Sequence, residues 1–248
     1  MEFNDTQHKP SVEVLGRSVE QIDDGLRQYM IKVFNYMGLG LCVTALFAYL
    51  FYSQNWWHSF YTISGNTASL SALGWLVTFA PLIMVFAFSA VISRGSVMAS
   101  QAMFWIFSSV MGISLSTIFV AYTEHSIARV FLISAATFGV MSLYGYSTKR
   151  DLTRIGSFMY MGVWGLVIAS IVNLFLHSTA LMYTISYIAV VAFTALTAYD
   201  VQNIKNLYYD SKDDSTAAEK IAVSGALNLY LDLVNLFIAL LNIMGDRK

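Results

Sequence analysis

The chain has 248 residues, of which 57% are hydrophobic and only 12% are charged, and its formal net charge is −1 at pH 7. A soluble domain carries about 25% charged residues, so this composition excludes an ordinary soluble protein and indicates a polytopic membrane protein. The near-neutral charge gives no basis for nucleic-acid binding. The single cysteine, Cys42, excludes an intrachain disulfide and a cysteine metal cluster, and we expect it to be a small buried hydrophobe.

Residues 1–31 form a polar segment without the apolar core of a signal peptide or the acid-poor composition of a transit peptide. Its acids include Asp5, Glu13, Glu20, Asp23 and Asp24. We expect this segment to be cytoplasmic and the first spanning helix to act as the insertion signal. The remaining residues, 32–248, are then expected to form the transmembrane domain.

Seven uncharged or nearly uncharged runs are long enough to cross a bilayer, which needs about 20 mostly apolar residues. They cover residues 32–52, 75–93, 99–122, 128–147, 157–176, 181–205 and 221–244. The connecting segments are short. The sequence therefore predicts an all-α fold, a single polytopic membrane bundle of seven transmembrane helices.

The distribution of basic residues predicts the orientation of the bundle. Eleven of the 14 lysines and arginines lie before the first run or in the linkers on that same side. These are Lys9, Arg17, Arg27, Lys32, Arg94, Lys149, Arg150, Arg154, Lys205, Lys212 and Lys220. We therefore expect the N-terminus to be cytoplasmic.

The final run leaves an alternative open. Seven crossings place Arg247 and Lys248 outside, against the same charge rule. A re-entrant hairpin would return them to the cytoplasm. We favour seven full crossings, because two charges at the end of the chain weigh little.

Three local patterns give secondary predictions. Ser108, Gly112 and Ser116 recur every four residues, which is typical of a close helix–helix contact or of small residues scattered in a serine-rich helix. The stretch Lys149-Arg150-Asp151 is most simply a cytoplasmic anchor, with docking of a partner as the alternative. In the connector "YDSKDDSTAAEK", Ser215 or Thr216 is expected to cap the last helix.

Two acids lie well inside the predicted spans, in consecutive helices, Asp200 in "ALTAYDVQNIKN" and Asp232 in "LNLYLDLVNLF". A charge at mid-bilayer costs about 2.5–3.5 kcal/mol on insertion scales, so such acids usually face a partner, a cavity or a pathway. Two neighbouring carboxyl groups in a low dielectric cannot both ionise easily, and we expect the pair to share a proton near neutral pH. The alternative is that each acid is neutralised separately and only holds helices together.

Helical spacing predicts which side chains surround these acids. Asn228 and Asn235 fall on the same face as Asp232, and this polar stripe is expected to point inward, opposite an apolar face with Leu227 and Val234. Thr197 lies three residues before Asp200. We expect Asn228, Asn235 and Thr197 to line any pathway at the acids.

The motifs "YMIKVFNYMGLGLCVTA", "MSLYGYSTKRDLTRIG", "ALTAYDVQNIKN" and "GALNLYLDLVNLFIALL" together resemble the Bax inhibitor-1, or transmembrane Bax inhibitor motif, family and its bacterial inner-membrane branch. The resemblance implies a seven-helix fold with a paired-aspartate pH sensor, onto which Asp200 and Asp232 map. It also implies that a basic residue ending the second helix latches this pair, and Arg94 matches that position. Residues 76–93 contain no acid, unlike some family members, which removes one residue that a calcium pathway could use.

The resemblance leaves two functions open. The first is a pH-sensitive calcium or cation leak in which the two aspartates, helped by neighbouring amide and hydroxyl oxygens, hold Ca²⁺ only transiently, since calcium prefers six to eight oxygens. The second is a non-conducting regulator in stress response that binds a membrane partner, such as a membrane-embedded AAA protease. The oligomeric state is not predicted.

Enzymatic alternatives have weaker support in the sequence. An aspartyl intramembrane protease also uses acids in consecutive helices, but Tyr230-Leu231 precedes Asp232 in place of a glycine-rich signature. A serine protease would need a buried histidine, and the four histidines lie in linkers, at span ends or in the N-terminal segment. Their spacing predicts no metal site. We therefore expect neither an enzyme nor a bound cofactor.

Overall fold

The structure, a computed structural model, describes residues 12–64, 67–211 and 214–248. Residues 1–11 of the predicted N-terminal segment lie outside this range. In chain order the elements are α1 (Val12–Ser53), a 3-10 helix (Trp56–Phe60), β1 (Tyr61–Ser64), β2 (Thr67–Leu70), α2 (Ala72–Arg94), α3 (Val97–Leu115), α4 (Ile118–Ala121), α5 (Glu124–Ser147), α6 (Thr153–Leu176), α7 (Thr179–Ser211) and α8 (Ser215–Met244).

Seven helical stretches in the described part of the chain are long and apolar enough to cross a membrane. They are α1 from Asp24, α2, α3 together with α4, α5, α6, α7 and α8. The prediction of an all-α, seven-span bundle is therefore confirmed. The third span differs in detail, because its helix is interrupted between Leu115 and Ile118.

The boundary predicted between residues 31 and 32 falls inside α1, which is continuous from Val12 to Ser53. Leu26, Tyr29 and Met30 precede that boundary and are buried in the main hydrophobic core. They recur at three- and four-residue spacing, so they share one helix face while Arg27 and Gln28 point away. Charged residues between them hide this apolar face from a search for uncharged runs.

The linker after the first span contains structure that the sequence did not predict. Tyr61–Ser64 and Thr67–Leu70 pair as an antiparallel hairpin with Tyr61 opposite Leu70. The hairpin is followed at once by α2, whose first turn is capped by Ser71, which accepts a hydrogen bond from the Gly74 amide at 3.1 Å.

The last helix, α8, lies at the centre of the bundle. It packs against α1 and α3 on one side and α5 and α7 on the other. The outer helices α2 and α6 pack mainly on α3 and α7 respectively. Between α1 and α5 an apolar groove of about 340 Å³ reaches α8 at Leu233, Val234 and Phe237. The bundle therefore consists of two helix groups on either side of one central helix.

Small residues bring helices of each group close together. A side chain at Gly112 in α3 would meet the carbonyl oxygen of Thr44 in α1 at 2.5 Å, and the Thr44 hydroxyl donates to the carbonyl oxygen of Ser108 at 2.9 Å. The predicted small-residue ladder is therefore a real helix–helix contact. In the other group, Gly145 in α5 lies directly against the backbone of Ala198 in α7.

A polar cluster joins α8 to α1 and α3 at the end of the bundle where most basic residues lie, which we call the basic end. Glu219 in α8 pairs with Lys32 and accepts hydrogen bonds from the Tyr36 hydroxyl and the Gln101 amide, both at 3.1 Å. The Gln101 amide also donates to the Tyr36 hydroxyl at 2.8 Å. These contacts fix the first turns of α8 beside α1.

The C-terminal residues lie at the opposite end. The Lys248 ammonium group donates to the Tyr52 hydroxyl at 3.2 Å and to the carbonyl oxygen of Phe119 at 2.8 Å, while Arg129 pairs with Asp246 at 3.1 Å. Since α8 starts beside Lys32 and finishes beside Tyr52, it runs parallel to α1 through the whole bundle. This geometry contradicts the re-entrant alternative and supports seven crossings.

Two local predictions are wrong. Cys42 is exposed on the surface of α1, because α1 lies at the periphery of the bundle and this position faces outward. The cap of α8 is Asp214, whose carboxylate accepts from the amides of Thr216 and Ala217 at 2.9 and 3.1 Å. A carboxylate one residue earlier than expected thus satisfies the first free amides of the helix.

Candidate paired-acid site

Asp200 in α7 and Asp232 in α8 are brought together by the most extensive helix contact in the bundle. The two helices form an antiparallel hairpin, in which Gly225 allows the side chain of Ile204 to approach α8 closely. The two carboxyl groups lie within hydrogen-bonding range of each other. Asp200 is 2% exposed and Asp232 4%, so the pair lies in the interior of the bundle.

The register between α7 and α8 explains how the two acids meet. The predicted sixth span ended at residue 205, which placed Asp200 much nearer the basic end than Asp232 unless the last span began near Gly225. Instead α7 continues to Ser211, so Asp200 lies 11 residues, or about 17 Å, from its end. α8 is longer than predicted by the same six residues, because it begins at Ser215, so Asp232 lies 17 residues from its start. The close contact of Ile204 with Gly225 therefore sets the register that brings the two acids together.

Tyr160 in α6 is a third member of the site. Its hydroxyl lies 2.9 Å from Oδ1 and 3.0 Å from Oδ2 of Asp200, so it donates to that carboxyl group. Sequence analysis did not identify this residue. The sequence contains no signal for it, because Tyr160 lies only three residues inside the predicted span 157–176, near the interface where tyrosines concentrate, whereas it lies seven residues inside α6.

The carboxyl group of Asp232 has fewer hydrogen-bond partners than that of Asp200. Its Oδ2 atom is buried and has no hydrogen-bond partner among the residues that the structure describes. A buried polar oxygen without a partner carries a desolvation cost, which a proton, a water molecule or a cation would relieve.

The predicted neighbours of Asp232 occupy a less buried seam of α8. Between residues 225 and 239 the half-buried positions are Asn228, Leu231, Asn235 and Ile238. The side chains of Asn228 and Asn235 make no hydrogen bond within the described ranges. The apolar face predicted opposite Asp232, with Leu227 and Val234, is also buried, because other helices surround α8. The helix therefore has no outward face in contrast to an inward one.

Thr197 and Arg94 are placed differently from the predicted pathway and latch. Thr197 is fully buried, and its hydroxyl donates to the carbonyl oxygen of Phe193 in its own helix at 2.7 Å. Arg94 is exposed at the end of α2 and forms no salt bridge or hydrogen bond within the described residues. The structure therefore does not bring Arg94 to the acids, and its role as a latch stays a prediction.

The site brings together two carboxyl groups and one phenol, which suit proton exchange and weak cation contact. No group of three or more His, Cys, Asp or Glu side chains that could hold a metal ion occurs within the described ranges. Two carboxylates fall well short of the six to eight oxygens of a calcium site. Any cation at this position would therefore be held weakly.

Comparison with known proteins identifies relatives over nearly the whole chain. The sequence pattern of the family described as inhibitor of apoptosis-promoting Bax1 matches residues 26–248. An uncharacterized protein of Rickettsia prowazekii is 42% identical over 226 residues, covering 91% of this chain and 92% of the relative. The inner membrane protein YbhL of Escherichia coli is 41% identical over 233 residues, covering 93% and 97%. An uncharacterized membrane protein of Streptococcus pyogenes is 36% identical, covering 91% and 95%.

Proposed function

Because the chain belongs to the Bax inhibitor-1 family of integral membrane proteins, we propose that it is a pH-sensitive leak for calcium or another cation. Asp200 and Asp232 are the proposed sensor. The observation that carries the proposal is the contact between these two carboxyl groups in the interior of a membrane-spanning bundle. The E. coli relative is named an inner membrane protein, and we place this chain in the same kind of membrane.

The physical basis is the cost of two adjacent charges in an apolar interior. A shared proton leaves one negative charge across the pair, whereas loss of that proton creates two. The doubly ionised pair attracts a cation to the position beside Asp232 Oδ2, which lacks a protein partner among the described residues. The half-buried amides of Asn228 and Asn235 supply further oxygens along α8. Weak coordination suits passage of the ion better than storage.

Arg94 is the proposed closing element. For its guanidinium group to pair with the acids, α2 would have to shift toward α7 and α8, and α2 packs mainly on α3 in this structure. Arg94→Gln would remove the positive charge and weaken the closed form. We expect this variant to leak more than wild type at neutral pH, and an unchanged leak would exclude the latch.

Calcium entry into liposomes that contain the purified protein tests the proposal. Wild type is compared with Asp200→Asn, Asp232→Asn and the double variant on both sides of neutral pH. Asp210→Asn is the matched control, because Asp210 is an exposed acid in the same helix as Asp200. We expect the two single variants and the double variant to lose the pH dependence of the flux and the Asp210→Asn control to keep it. A calcium flux that is unchanged in the double variant would refute the proposal.

The same experiment separates the second candidate function. A regulator that binds a membrane protease and does not conduct would give liposomes no calcium flux above that of empty vesicles. Its cellular effect would also persist in Asp232→Asn. This pattern would replace the leak with the regulator.

The orientation is proposed on the charge distribution, with the basic end in the cytoplasm. In a Cys42→Ser background, Thr153→Cys marks the basic end and Glu124→Cys the opposite end, and both positions are exposed. A membrane-impermeant maleimide added to intact cells should label Glu124→Cys and spare Thr153→Cys. The reverse pattern would invert the proposed orientation.

A further inference from the structure

A polar cavity of about 260 Å³ opens at the basic end, between the connection that joins α5 to α6 and the last turns of α7. We call it the basic pocket. Lys149, Arg150 and Asp151 line it from the connection, and Lys205 and Asn206 line it from α7. Three cationic side chains thus surround the cavity against one acid. The pocket is separate from Asp200 and Asp232 and has no role in the proposed leak.

The backbone of the basic pocket is held in place by Gln202. Its side-chain oxygen accepts from the Leu152 amide at 2.9 Å, and its side-chain nitrogen donates to the carbonyl oxygen of Arg150 at 2.8 Å. These two bonds fasten the connection to α7. The positions of the basic residues are therefore set by the fold before any ligand binds, which lowers the entropy lost on binding.

The single acid of the pocket is already engaged. Asp151 accepts from the amide of Thr153 at 2.9 Å and from its hydroxyl at 2.5 Å at the start of α6. Hydrogen bonds from the Thr153 side chain and amide lower the pKa of Asp151, outweighing the opposite effect of desolvation, and the nearby charge of Arg154 contributes least. Asp151 thus serves the start of α6 and does not neutralise the lysines of the pocket.

The three cations retain donors for an anion. Lys149 and Arg150 form no side-chain hydrogen bond or salt bridge within the described part of the chain, and both are exposed. The Lys205 ammonium group donates once, to the carbonyl oxygen of Tyr146 at 3.0 Å, and lies 5.4 Å from the centre of the Tyr146 ring. An ammonium group has three donors, so two remain.

We propose that the basic pocket binds the phosphate of an anionic membrane lipid. Large apolar side chains lie within about two helical turns of the pocket-lining residues along the chain and are exposed: Leu143 at 71% and Tyr144 at 44% in α5, and Ile155 at 47% and Phe158 at 69% in α6. A lipid whose phosphate occupies the pocket can lay its acyl chains on these surfaces. A soluble phosphate would use only the cationic part, so the combination favours a lipid.

Native mass spectrometry of the full-length protein tests this site. The protein is released from nanodiscs that contain phosphatidylcholine mixed with phosphatidylglycerol, and the lipids that stay bound are counted. We expect wild type to retain phosphatidylglycerol preferentially and Lys149→Gln/Arg150→Gln to lose about tenfold or more of that preference, because the variant removes charge-assisted hydrogen bonds to the phosphate. The matched control is Arg27→Gln/Lys220→Gln, which removes two positive charges from the basic end outside the pocket.

The outcomes decide the proposal. Retention of the preference by the control and its loss in the pocket variant support a built lipid site. An equal loss in both variants would show diffuse attraction of lipid to the basic end and overturn the proposal. Competition by inorganic phosphate as effective as that by phosphatidylglycerol would identify a site for soluble anions and overturn the assignment to a lipid. No preference in wild type would also refute it.

Discussion

Replacement of Gly145 by alanine tests the packing that positions Asp200. Gly145 in α5 lies against Ala198 in α7, two residues before the acid. A Cβ atom there would lie 2.8 Å from both the Cα and carbonyl carbon of Ala198, where ordinary contact begins at 3.4 Å, and closer still to its carbonyl oxygen. The carbon contacts alone require a separation of about 0.6 Å between two rigid backbones, which a rotamer change cannot supply.

A second glycine in the same helix isolates this effect. Gly139 in α5 has no atom within 4 Å of the position that a Cβ would take. Replacing either glycine with alanine increases helix propensity by a similar amount, up to about 1 kcal/mol. The difference between Gly145→Ala and Gly139→Ala therefore reports the overpacking alone, which we expect to destabilise by about 1–3 kcal/mol.

The assay is thermal unfolding of both full-length variants in the same detergent. For a chain of this size 1 kcal/mol corresponds to about 2–4 °C, so Gly145→Ala should melt about 2–12 °C below Gly139→Ala. Calcium flux in liposomes provides a second measurement, because a shift of α7 against α5 moves Asp200. Equal melting temperatures for the two variants would refute the close contact and with it our account of how α7 is held.

Three further predictions concern single polar contacts. The Tyr230 hydroxyl contacts the Thr44 hydroxyl at 2.6 Å, so Thr44→Val removes this partner and should lower stability by about 1–3 kcal/mol. In thermal unfolding, the double variant Thr44→Val/Tyr230→Phe should lose less stability than the sum of the two single variants. Tyr160→Phe should change the pH dependence of calcium flux and lower stability by about 1.5–3 kcal/mol, whereas Tyr187→Phe, at an exposed position, should do neither. Asp151→Ala should lower the melting temperature at neutral pH, because the charged form of Asp151 makes the stabilising contacts. The difference in melting temperature from wild type should disappear as the pH falls below the usual pKa of 3.8 and through the lowered pKa of Asp151. A difference that is constant with pH would contradict the last prediction.

The seven spans and the two acids could be predicted from the sequence because both follow from local patterns. An apolar run of sufficient length identifies a span, and an acid inside such a run is conspicuous. The contact between Asp200 and Asp232 was also predictable, since consecutive helices in a compact bundle are neighbours in space. The position of α8 was harder to predict, because its polar stripe suggested one buried face whereas the structure buries nearly all of it.

The remaining features depend on relations between distant segments. Tyr160 contacts Asp200 only because α6 is rotated to direct that phenol toward α7, and no pattern within α6 specifies the rotation. The apolar face of Leu26, Tyr29 and Met30 lies beside the charged Asp23, Asp24 and Arg27, so a search for uncharged runs started the helix too late. Exposure of Cys42 likewise depends on which side of α1 faces the bundle.

The central position of α8 has a consequence for biosynthesis. Apart from their shared contacts with α8, the two helix groups, α1–α3 and α5–α7, meet at few points among the described residues. Examples are the ring contacts Tyr29–Tyr208 and Phe86–Trp164. The ribosome produces α8 after all of these helices. Until it enters the membrane, only these few contacts among the described residues hold the two groups in register, and Asp200 has no Asp232 beside it. Insertion of α8 is thus the event that both completes the core and creates the paired-acid site, so a nascent chain that has not yet inserted α8 lacks this pair of acids.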